Sequence, residues 1–516
     1  MVYHLIMEES TDTFTETASV PILEETYPVS PPFSYILIQT DPATKRRQYM
    51  VVEIPLDSKE QAIYKKILSI MIEELDVDFS VLKDKEKAEE FLKKKVVDIV
   101  KRYRISLNES QFEKIMYYLN RDLIGYGKIQ PLMLDTNIED ISCDGVGIPI
   151  YVWHRKYESI VTNITFDSEE ELDSFIIKLA QRANRHISIA NPLLDASLPD
   201  GSRIQLTFGK EVTQRGSTFT IRKFKADPFT ITDLILYNTI DLDIAAFYWF
   251  IMEHDVSILI AGGTAAGKTT LLNTIAMLIK PDMKVVSIED TAELNLSHEN
   301  WIPSVVRSGF GERTESGFRR GQISMYDLLR AAMRQRPDYI IVGEIRGEEA
   351  YAMFQAMSTG HRGLGTIHGD TVEGVIHRLE SKPMNIPRSM MKALDIIHVI
   401  RKVRLPSGFA RRTQSITEII GLDPVTEEIL TNKLYQWNPR DDTYIYYGRS
   451  YILEKIMENT GKTEKEIQDE LERRKTVLRW LVKKRIRYFE DVASIIQEYY
   501  SDPDRTLEKA KKALKS

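Results

Sequence analysis

Apolar residues in the first quarter of the chain recur at helical spacing, which predicts a small helical subdomain over residues 36–124. Two strand-like runs, FSYILIQ and YMVVEIPL, precede amphipathic segments near residues 58 to 75, 82 to 103 and 109 to 123. The last segment repeats its apolar residues three or four positions apart, as one helix face does. Those residues are Phe112, Ile115, Met116 and Leu119. We expect core packing to be the reason for these stripes.

The pattern changes between residues 125 and 224 to short β-type runs, interrupted by one helical segment, EEELDSFIIKLAQRAN. Such a mixture predicts an α+β domain. The segment KADPFT then breaks the pattern, because Pro228 lacks a backbone donor and restricts the residue before it. We therefore expect an interdomain linker at residues 225–230.

Residues 231–450 alternate near-continuous apolar runs with helical stretches. The runs VSILIAGG, KVVSIED, YIIVGE and LGTIHG are typical of strands buried on both faces. This alternation predicts an α/β domain whose sheet is covered by helices on both sides. Residues 451–516 are charged and follow a helical pattern, so we expect a carboxy-terminal helical region there.

The amino terminus has a different composition. Residues 1–32 carry six acidic side chains, no Lys or Arg and many Ser and Thr, and they end in Pro31-Pro32. A segment with few apolar residues and an excess of one charge buries too little surface to offset its ordering entropy. We therefore predict a flexible acidic tail over residues 1–35.

Charge and cysteine content exclude several classes of protein. The chain has 516 residues with 69 basic and 76 acidic side chains, a net charge of −7, so no bulk positive field favours nucleic acid. The single cysteine, Cys143, excludes an intrachain disulfide and a four-cysteine zinc site. The sequence has no basic leader and no run of about 18 apolar residues, so we expect a cytoplasmic protein.

One motif points directly to chemistry. The segment GGTAAGKT fits G-x-x-x-x-G-K-[ST], with the strand-like run SILIA before it and the helical run TLLNTIAMLI after it. Glycine lets the backbone N–H groups of such a loop close around phosphates at a helix N-terminus, where the helix dipole favours negative charge. The motif predicts Lys268 on the β and γ phosphates and Thr269 on Mg²⁺. The predicted nucleotide-binding residues are Gly262, Gly263, Thr264, Ala265, Ala266, Gly267, Lys268, Thr269 and Thr270.

Carboxylates follow two of the predicted strands. The run VVSI leads into Glu289-Asp290-Thr291-Ala292-Glu293, and YIIV leads into Gly343-Glu344. Ligands of α/β sheets bind at the carboxyl ends of the strands, so we expect these acids close to the phosphates. A carboxylate there can hold Mg²⁺ or orient the attacking water.

Two histidines, His361 and His368, lie seven residues apart around a short apolar run. The spacing puts them near opposite ends of one strand. His368 follows the strand exit, from which it can reach a phosphate and respond to its presence. We expect a sensing or hydrogen-bonding role rather than direct catalysis.

These boxes, in this order, resemble those of the secretion ATPase superfamily, which powers type II secretion, type IV secretion and type IV pili. The P-loop, SIEDTAEL, PDYIIVGEIRG and the paired-histidine box cover residues 258–370, and the likeness runs over about 123–450. The resemblance implies a RecA-like P-loop fold, hydrolysis of ATP with Mg²⁺, and a homohexamer as the working unit. It also implies that Glu293 and Glu344 act on water and magnesium, with Glu344 beside Thr269 at the metal.

The resemblance further points to arginines of the α+β domain. Arg203 in DGSR and Arg222 in TIRKF match positions from which the family supplies arginines to nucleotide phosphates, and Arg215 is a third, weaker candidate. A guanidinium suits a developing phosphoryl charge because it is planar, always charged and bidentate. We expect Arg203 to act across a subunit boundary. The alternative for each arginine is a surface ion pair with a nearby acid.

The sequence departs from the family in two places. Ala265-Ala266 stand where Gly-Ser is more usual, which stiffens the loop slightly and removes a hydroxyl. A zinc module of four cysteines is impossible with one cysteine, and RRTQSITEIIGLDPVTEEIL is similar to the archaeal branch. Within that branch, the acidic tail and the helical subdomain favour the motor of the archaellum, the rotating archaeal swimming filament.

The resemblance also implies the partners of such a motor. These are a polytopic inner-membrane platform protein and accessory motor proteins, with the ring peripheral at the cytoplasmic face of the cell membrane. An archaeal pilus-assembly or secretion ATPase is the alternative within the branch. A nucleic-acid translocase is disfavoured by the net charge and by the lack of a stretch of aromatic and basic residues. A non-enzymatic nucleotide-responsive scaffold would lack Lys268 or Glu344, and both are present.

Overall fold

The computed structural model divides the chain into two compact units, which meet in sequence between Phe224 and Lys225. The division lies at the start of the predicted linker, of which residues 225 and 226 lie outside the described residues. The structure describes residues 21–74, 85–224, 227–307, 310–313, 319–406 and 408–515.

The first unit is built on a nine-stranded sheet in the order β1-β2-β3-β6-β5-β4-β9-β8-β7. All neighbouring strands are antiparallel except β3 and β6. The strands are β1 (Ile22–Ser30), β2 (Ser34–Thr40), β3 (Arg47–Glu53), β4 (Ile138–Cys143), β5 (Tyr151–His154), β6 (Glu158–Thr162), β7 (Leu193–Ser197), β8 (Arg203–Thr207) and β9 (Thr218–Arg222).

The helices of the first unit form two groups. One group makes a separate core from apolar residues of its three members, among them Ile67, Leu92 and Ile115. These helices are α1 (Ser58–Glu74), α2 (Lys85–Arg102) and α3 (Glu109–Leu119), followed by a π-turn (Asn120–Ile124), a 3₁₀ turn (Gly127–Ile129) and α4 (Gln130–Leu134). The other group packs on the sheet and comprises α4, through Leu132, and α5 (Glu169–Arg182), through Leu172 and Ile176. The apolar stripes of the helical segments are therefore core positions.

The boundaries of the helical subdomain differ from the prediction. Residues 36–53 belong to β2 and β3 of the large sheet, because β3 pairs with β6 of the α+β domain. The helical part begins at Ser58, and residues 82–84 of the second predicted segment lie outside the described residues. Periodicity identified the helices, but it carries no information about which sheet a neighbouring strand joins.

The prediction of a flexible tail over residues 1–35 is wrong for residues 22–30, which form β1 at the edge of the sheet. Two polar side chains fasten this strand. The Tyr27 hydroxyl donates to Asp135 at 2.7 Å, and Glu25 accepts from Lys156 at 2.9 Å. Backbone pairing with β2 and these polar contacts hold an edge strand that buries little apolar surface, so composition did not reveal it. Residues 1–20 lie outside the described residues.

The second unit has its own nine-stranded sheet in the order β12-β11-β15-β16-β10-β17-β18-β19-β20. The strands from β12 to β17 in this order are parallel, and β18, β19 and β20 continue the sheet in antiparallel fashion. The strands are β10 (Ile258–Gly262), β11 (Val285–Glu289), β12 (Trp301–Val305), β15 (Tyr339–Ile345), β16 (Arg362–His368), β17 (Ile396–Leu405), β18 (Gly408–Leu422), β19 (Ile429–Asn438) and β20 (Thr443–Tyr446), and β13 (Phe310–Arg313) pairs separately with β14 (Arg319–Arg320).

Helices cover both faces of this sheet, as the buried strands predict. Ile258 and Ile260 of β10 contribute to one core, whereas Leu259 and Ala261 contribute to the other, because successive side chains of a strand point to opposite faces. The α/β fold expected from the sequence is confirmed. The helices are α6 (Ile231–Leu236), α7 (Leu242–Ile251), α8 (Lys268–Ala276), α9 (Met325–Met333), α10 (Glu349–Ser358), α11 (Val372–Glu380), α12 (Arg388–Met391), α13 (Tyr451–Thr460), α14 (Glu464–Lys483), α15 (Phe489–Ser501) and α16 (Pro503–Lys515).

The carboxy-terminal helices share the core of the second unit. The guanidinium of Arg474 in α14 is buried against α7, where it donates to the carbonyl oxygen of Trp249 and to the carboxylate of Glu253 at 2.9 Å. A buried cation is tolerated only when its donors are satisfied, and Glu470 supplies a further acceptor at 2.9 Å. This region is thus packed into the second unit rather than appended to it.

Candidate active site

Four parallel strands deliver their last residues to one edge of the second sheet. Gly262 at the end of β10 lies opposite His368 at the end of β16. Val342 of β15 lies opposite Gly365 of β16 and opposite Ile288 of β11. The register therefore brings together the exits of β10, β11, β15 and β16. The P-loop, the two acidic segments and His368 all lie at or just after those strand ends.

The P-loop needs glycine at two positions for different reasons. A Cβ atom at Gly262 would lie 2.4 Å from the carbonyl oxygen of Ile400 in β17, a distance that real Cβ atoms do not reach. Gly267 has a φ of 93°, in the left-handed region, just before α8 begins at Lys268. Ala265 also has a positive φ, 57°, which costs an L-residue about 1 kcal/mol. Ala265 therefore has a strained backbone conformation at a position where glycine is more usual.

Lys268 turns back over the loop. Its Nζ donates to the carbonyl oxygen of Gly263 at 3.0 Å. Partial burial lowers the pKa of Lys268, and the nearby carboxylates of Glu344 and Asp370 oppose that shift. A partly desolvated ammonium at the start of α8 has a strong electrostatic attraction for phosphate, because the helix dipole and the lysine charge act together.

The residues expected to hold Mg²⁺ fit a hard cation. Thr269 is half-buried in the first turn of α8, and Glu344 lies near the end of β15. Hydroxyl and carboxylate oxygens are the donors that Mg²⁺ prefers, and it takes few of them from protein when phosphates and water complete the octahedron. Within the described ranges, no three or more His, Cys, Asp or Glu side chains are grouped to hold a metal ion.

Glu344 is paired with an arginine that the sequence analysis did not single out. The guanidinium of Arg346 donates to Glu344 at 2.5 Å and lies 3.6 Å from the carboxylate of Asp290. The hydrogen bond that Arg346 donates to the carboxylate of Glu344 raises the pKa of Arg346. Arg346 thus connects the acidic segments after β11 and β15. Its position in GEIRG, two residues after the acid, was the available signal.

Glu289 fixes the segment that carries Glu293. Its carboxylate is buried and accepts the backbone N–H groups of Glu293 at 3.0 Å and Leu294 at 3.1 Å. Burial raises the pKa of Glu289 to about 7. Gly343 leaves room for this side chain, since a Cβ there would lie 3.1 Å from Cγ of Glu289. The sequence analysis placed Glu289 among the acids expected near the phosphates, but it did not predict that Glu289 holds this segment.

The two histidines lie at opposite edges of the sheet. His368 ends β16 beside Gly262, whereas His361 precedes β16 and lies near the pair of Arg362 and Asp255. Seven residues of strand separate the histidines by about 20 Å. The structure therefore does not bring His361 to the P-loop of its own unit, and phosphate sensing stays a prediction for His368.

The predicted arginines lie in the first unit. Arg203 and Arg222 are directly opposite each other on β8 and β9, so their side chains share one face of the sheet. Nε of Arg222 lies 3.1 Å from the carboxylate of Asp140, which agrees with the alternative of a surface ion pair. Arg203 is exposed. Arg215 lies between β8 and β9, and its carbonyl oxygen accepts from Val146.

Two more side chains border the P-loop from outside its own motif. Asp370 Oδ1 lies 3.2 Å from the place of a Cβ on Gly263, and Arg411 Cδ lies 3.5 Å from the place of a Cβ on Gly267. Asp370 follows β16, and Arg411 comes from β18. Only the tertiary fold shows that they are neighbours of the loop.

No helix in the described part of the chain is long and apolar enough to cross a membrane.

Comparison with known proteins identifies relatives of the chain. The family model for type II/IV secretion system proteins matches residues 128–499. An uncharacterised protein of Methanocaldococcus jannaschii is 37% identical over 496 residues, which cover 92% of this chain and 88% of that protein. The type IV secretion system protein PtlH of Bordetella pertussis is 30% identical over 297 residues, covering 51% of this chain and 84% of PtlH.

Solved structures give more distant likenesses. The VirB11 ATPase of the Brucella suis type IV secretion system has a TM-score of 0.28 at 21% identity, covering 58% of this chain and 93% of VirB11. The pilus retraction motor PilT has a TM-score of 0.38 at 20% identity, covering 56% of this chain and 80% of PilT.

Substitution Glu289→Gln should change how stability depends on pH. The folded pKa of about 7 lies above the ordinary value of 4.5, so Glu289 favours the folded state fully below pH 4.5 and loses that contribution as the pH rises through 7. The glutamine keeps an acceptor for both N–H groups and does not titrate. Between pH 5 and 8, the wild type should lose roughly 2.5 kcal/mol of stability relative to the variant. Denaturant titrations at several pH values measure this, and parallel stability curves would contradict it.

Proposed function

The chain belongs to the family of type II/IV secretion system proteins, and on that premise we propose that it is the ring-forming motor of a type IV pilus-like filament, the archaellum. Members of this family hydrolyse ATP and form hexameric rings, and the chain is an ATP hydrolase. The proposed work is assembly of the filament, its rotation, or both, driven by ATP hydrolysis.

One observation carries the proposal: the P-loop, the acids after β11 and β15, and His368 meet at a single sheet edge. The backbone N–H groups of the loop and the ammonium of Lys268 bind the phosphates. Thr269 and Glu344 would hold Mg²⁺, which neutralises charge on the β and γ phosphates when bound. Glu293, on the segment fixed by Glu289, orients the attacking water and accepts its proton.

The remaining predicted residues would link this chemistry to movement. His368, opposite Gly262, hydrogen-bonds to the phosphate and reports its presence. Arg203 and Arg222 lie in the other unit, which supports a role for them in a site completed by a neighbouring chain of the ring. An arginine that reaches the phosphates only in a closed arrangement couples hydrolysis to rigid-body motion.

The archaellum is favoured over other filaments by features of this branch. The relative from Methanocaldococcus jannaschii matches 92% of the chain, including the amino-terminal helices. The acidic amino terminus and those helices support contacts with accessory motor proteins. A polytopic platform protein would hold the ring at the cytoplasmic face of the membrane, and no nucleic acid is involved. An archaeal pilus-assembly or secretion ATPase is the alternative.

Gene deletion in the source organism tests the proposed filament. The deletion strain, complemented with wild type or with Lys268→Ala, is examined for swimming by light microscopy and for surface filaments by electron microscopy. We expect the wild type alone to restore archaella and swimming, with other pili present in every strain. Normal swimming in the deletion strain, with loss of other pili or of secretion, would replace the archaellum with the alternative.

Mixed rings test whether Arg203 acts across a subunit boundary. Arg203→Ala and Lys268→Ala subunits are each expected to be inactive, since losing such an arginine lowers turnover by about 10³ or more. In a mixed ring, some interfaces combine an intact P-loop with an intact arginine from the neighbour. ATPase activity should therefore reappear at intermediate ratios of the two subunits. With subunit exchange shown separately, an absence of activity at every ratio would mean that both residues act within one chain.

A further inference from the structure

The hairpin of β17 and β18 packs directly against the P-loop. The carbonyl oxygen of Ile400 in β17 lies so close to Gly262 that it leaves no space for a Cβ atom there. The Ile400 side chain lies 3.8 Å from the place of a Cβ on Gly267. On the same side, Cδ and Nε of Arg411 lie 3.5 and 3.8 Å from that place. The stem of Arg411 therefore lies along the residue that precedes Lys268.

The hairpin is rich in basic side chains, and most of them have partners. Arg412 is buried against Asp442, Arg401 donates to the carbonyl oxygen of Asp370, and Lys402 and Arg404 lie over the ring of Phe409. Arg411 differs from these four. Its side chain is exposed, and within the described residues no hydrogen bond or ion pair holds its guanidinium.

The position of Arg411 is electrostatically unfavourable without an anion. It lies beside the N-terminus of α8, where the helix dipole is positive. Lys402 lies directly opposite Arg411 on the neighbouring strand, and like charges in that register repel. A helix N-terminus and a like-charged residue on the neighbouring strand therefore both act on Arg411 beside Gly267. A phosphate group reverses the sign of each of these interactions.

We propose that Arg411 binds the phosphates of the nucleotide held by the P-loop of its own chain. The inference rests on the proposed nucleotide site and adds a residue to it. The backbone of a P-loop cradles the α and β phosphates, and Gly267 belongs to that part of the loop. Arg411 therefore acts on phosphates that ADP and ATP share, and its planar guanidinium can bind two of their oxygens at once. Because the hairpin and the loop belong to one unit, this cation is supplied within one subunit.

Nucleotide titrations of the purified full chain test this role without requiring turnover. The variants are Arg411→Gln, the conservative Arg411→Lys, and Arg404→Gln as a matched control from the same hairpin. Loss of a charge-assisted hydrogen bond predicts that Arg411→Gln weakens ADP and ATP binding equally, by about tenfold or more. Arg411→Lys should be intermediate, and Arg404→Gln should bind as the wild type does. Added salt should narrow the gap between Arg411→Gln and the wild type.

The Lys268→Ala variant separates failure of this inference from failure of the nucleotide site. If Lys268→Ala loses affinity and Arg411→Gln keeps it, the P-loop assignment stands and the role of Arg411 is overturned. If neither variant loses affinity, the nucleotide site itself is wrong. A loss for ATP without a loss for ADP would also overturn the assignment, because it would place Arg411 at the γ phosphate. Should Arg411→Gln lower the unfolding midpoint, Arg411→Lys decides the question instead. Wild-type affinity for ADP in Arg411→Lys would count against bidentate binding.

Discussion

The site depends on the close alignment of β10 with its two parallel neighbours. Gly262 lies opposite His368 in β16, and the carbonyl oxygen of Ile400 in β17 leaves no space for a side chain on Gly262. The point at which the P-loop begins is therefore fixed relative to the ends of both neighbouring strands. The same register aligns β15 with β16 and with β11, so Glu344 and the segment that carries Glu293 arrive at the same edge.

Charges around this edge are balanced by contacts that the same strands supply. Arg346 lies between Glu344 and Asp290, and Lys268 is held by a carbonyl oxygen of its own loop. Glu289 is almost completely buried, and its carboxylate accepts hydrogen bonds from two backbone N–H groups. In a partly buried site each of these interactions is stronger than in water, so the charges at this edge are preorganised for the proposed binding of polyphosphate and Mg²⁺.

Features set by local sequence could be predicted, and features set by contacts distant in sequence could not. The P-loop combines glycines with a strand before it and a helix after it, and the helical stripes repeat within single segments. By contrast, β1 was missed because residues 22–30 are held by backbone pairing and polar contacts. The role of Glu289 in holding its segment and the position of Arg411 arise from the fold and were not predicted, whereas the spacing of His361 and His368 correctly placed them at opposite ends of one strand.

We propose that Lys268 and Glu344 act on the same ATP in different steps, one in binding and one in hydrolysis. ATP binding and single-turnover hydrolysis, measured side by side for wild type, Lys268→Ala and Glu344→Gln, test it most directly. The amide in Glu344→Gln preserves shape and removes the negative charge needed beside magnesium and water. We expect Glu344→Gln to bind ATP with wild-type affinity and to hydrolyse it at least about 100-fold more slowly. Lys268→Ala should lose both properties. Unimpaired hydrolysis in either variant would contradict these two roles.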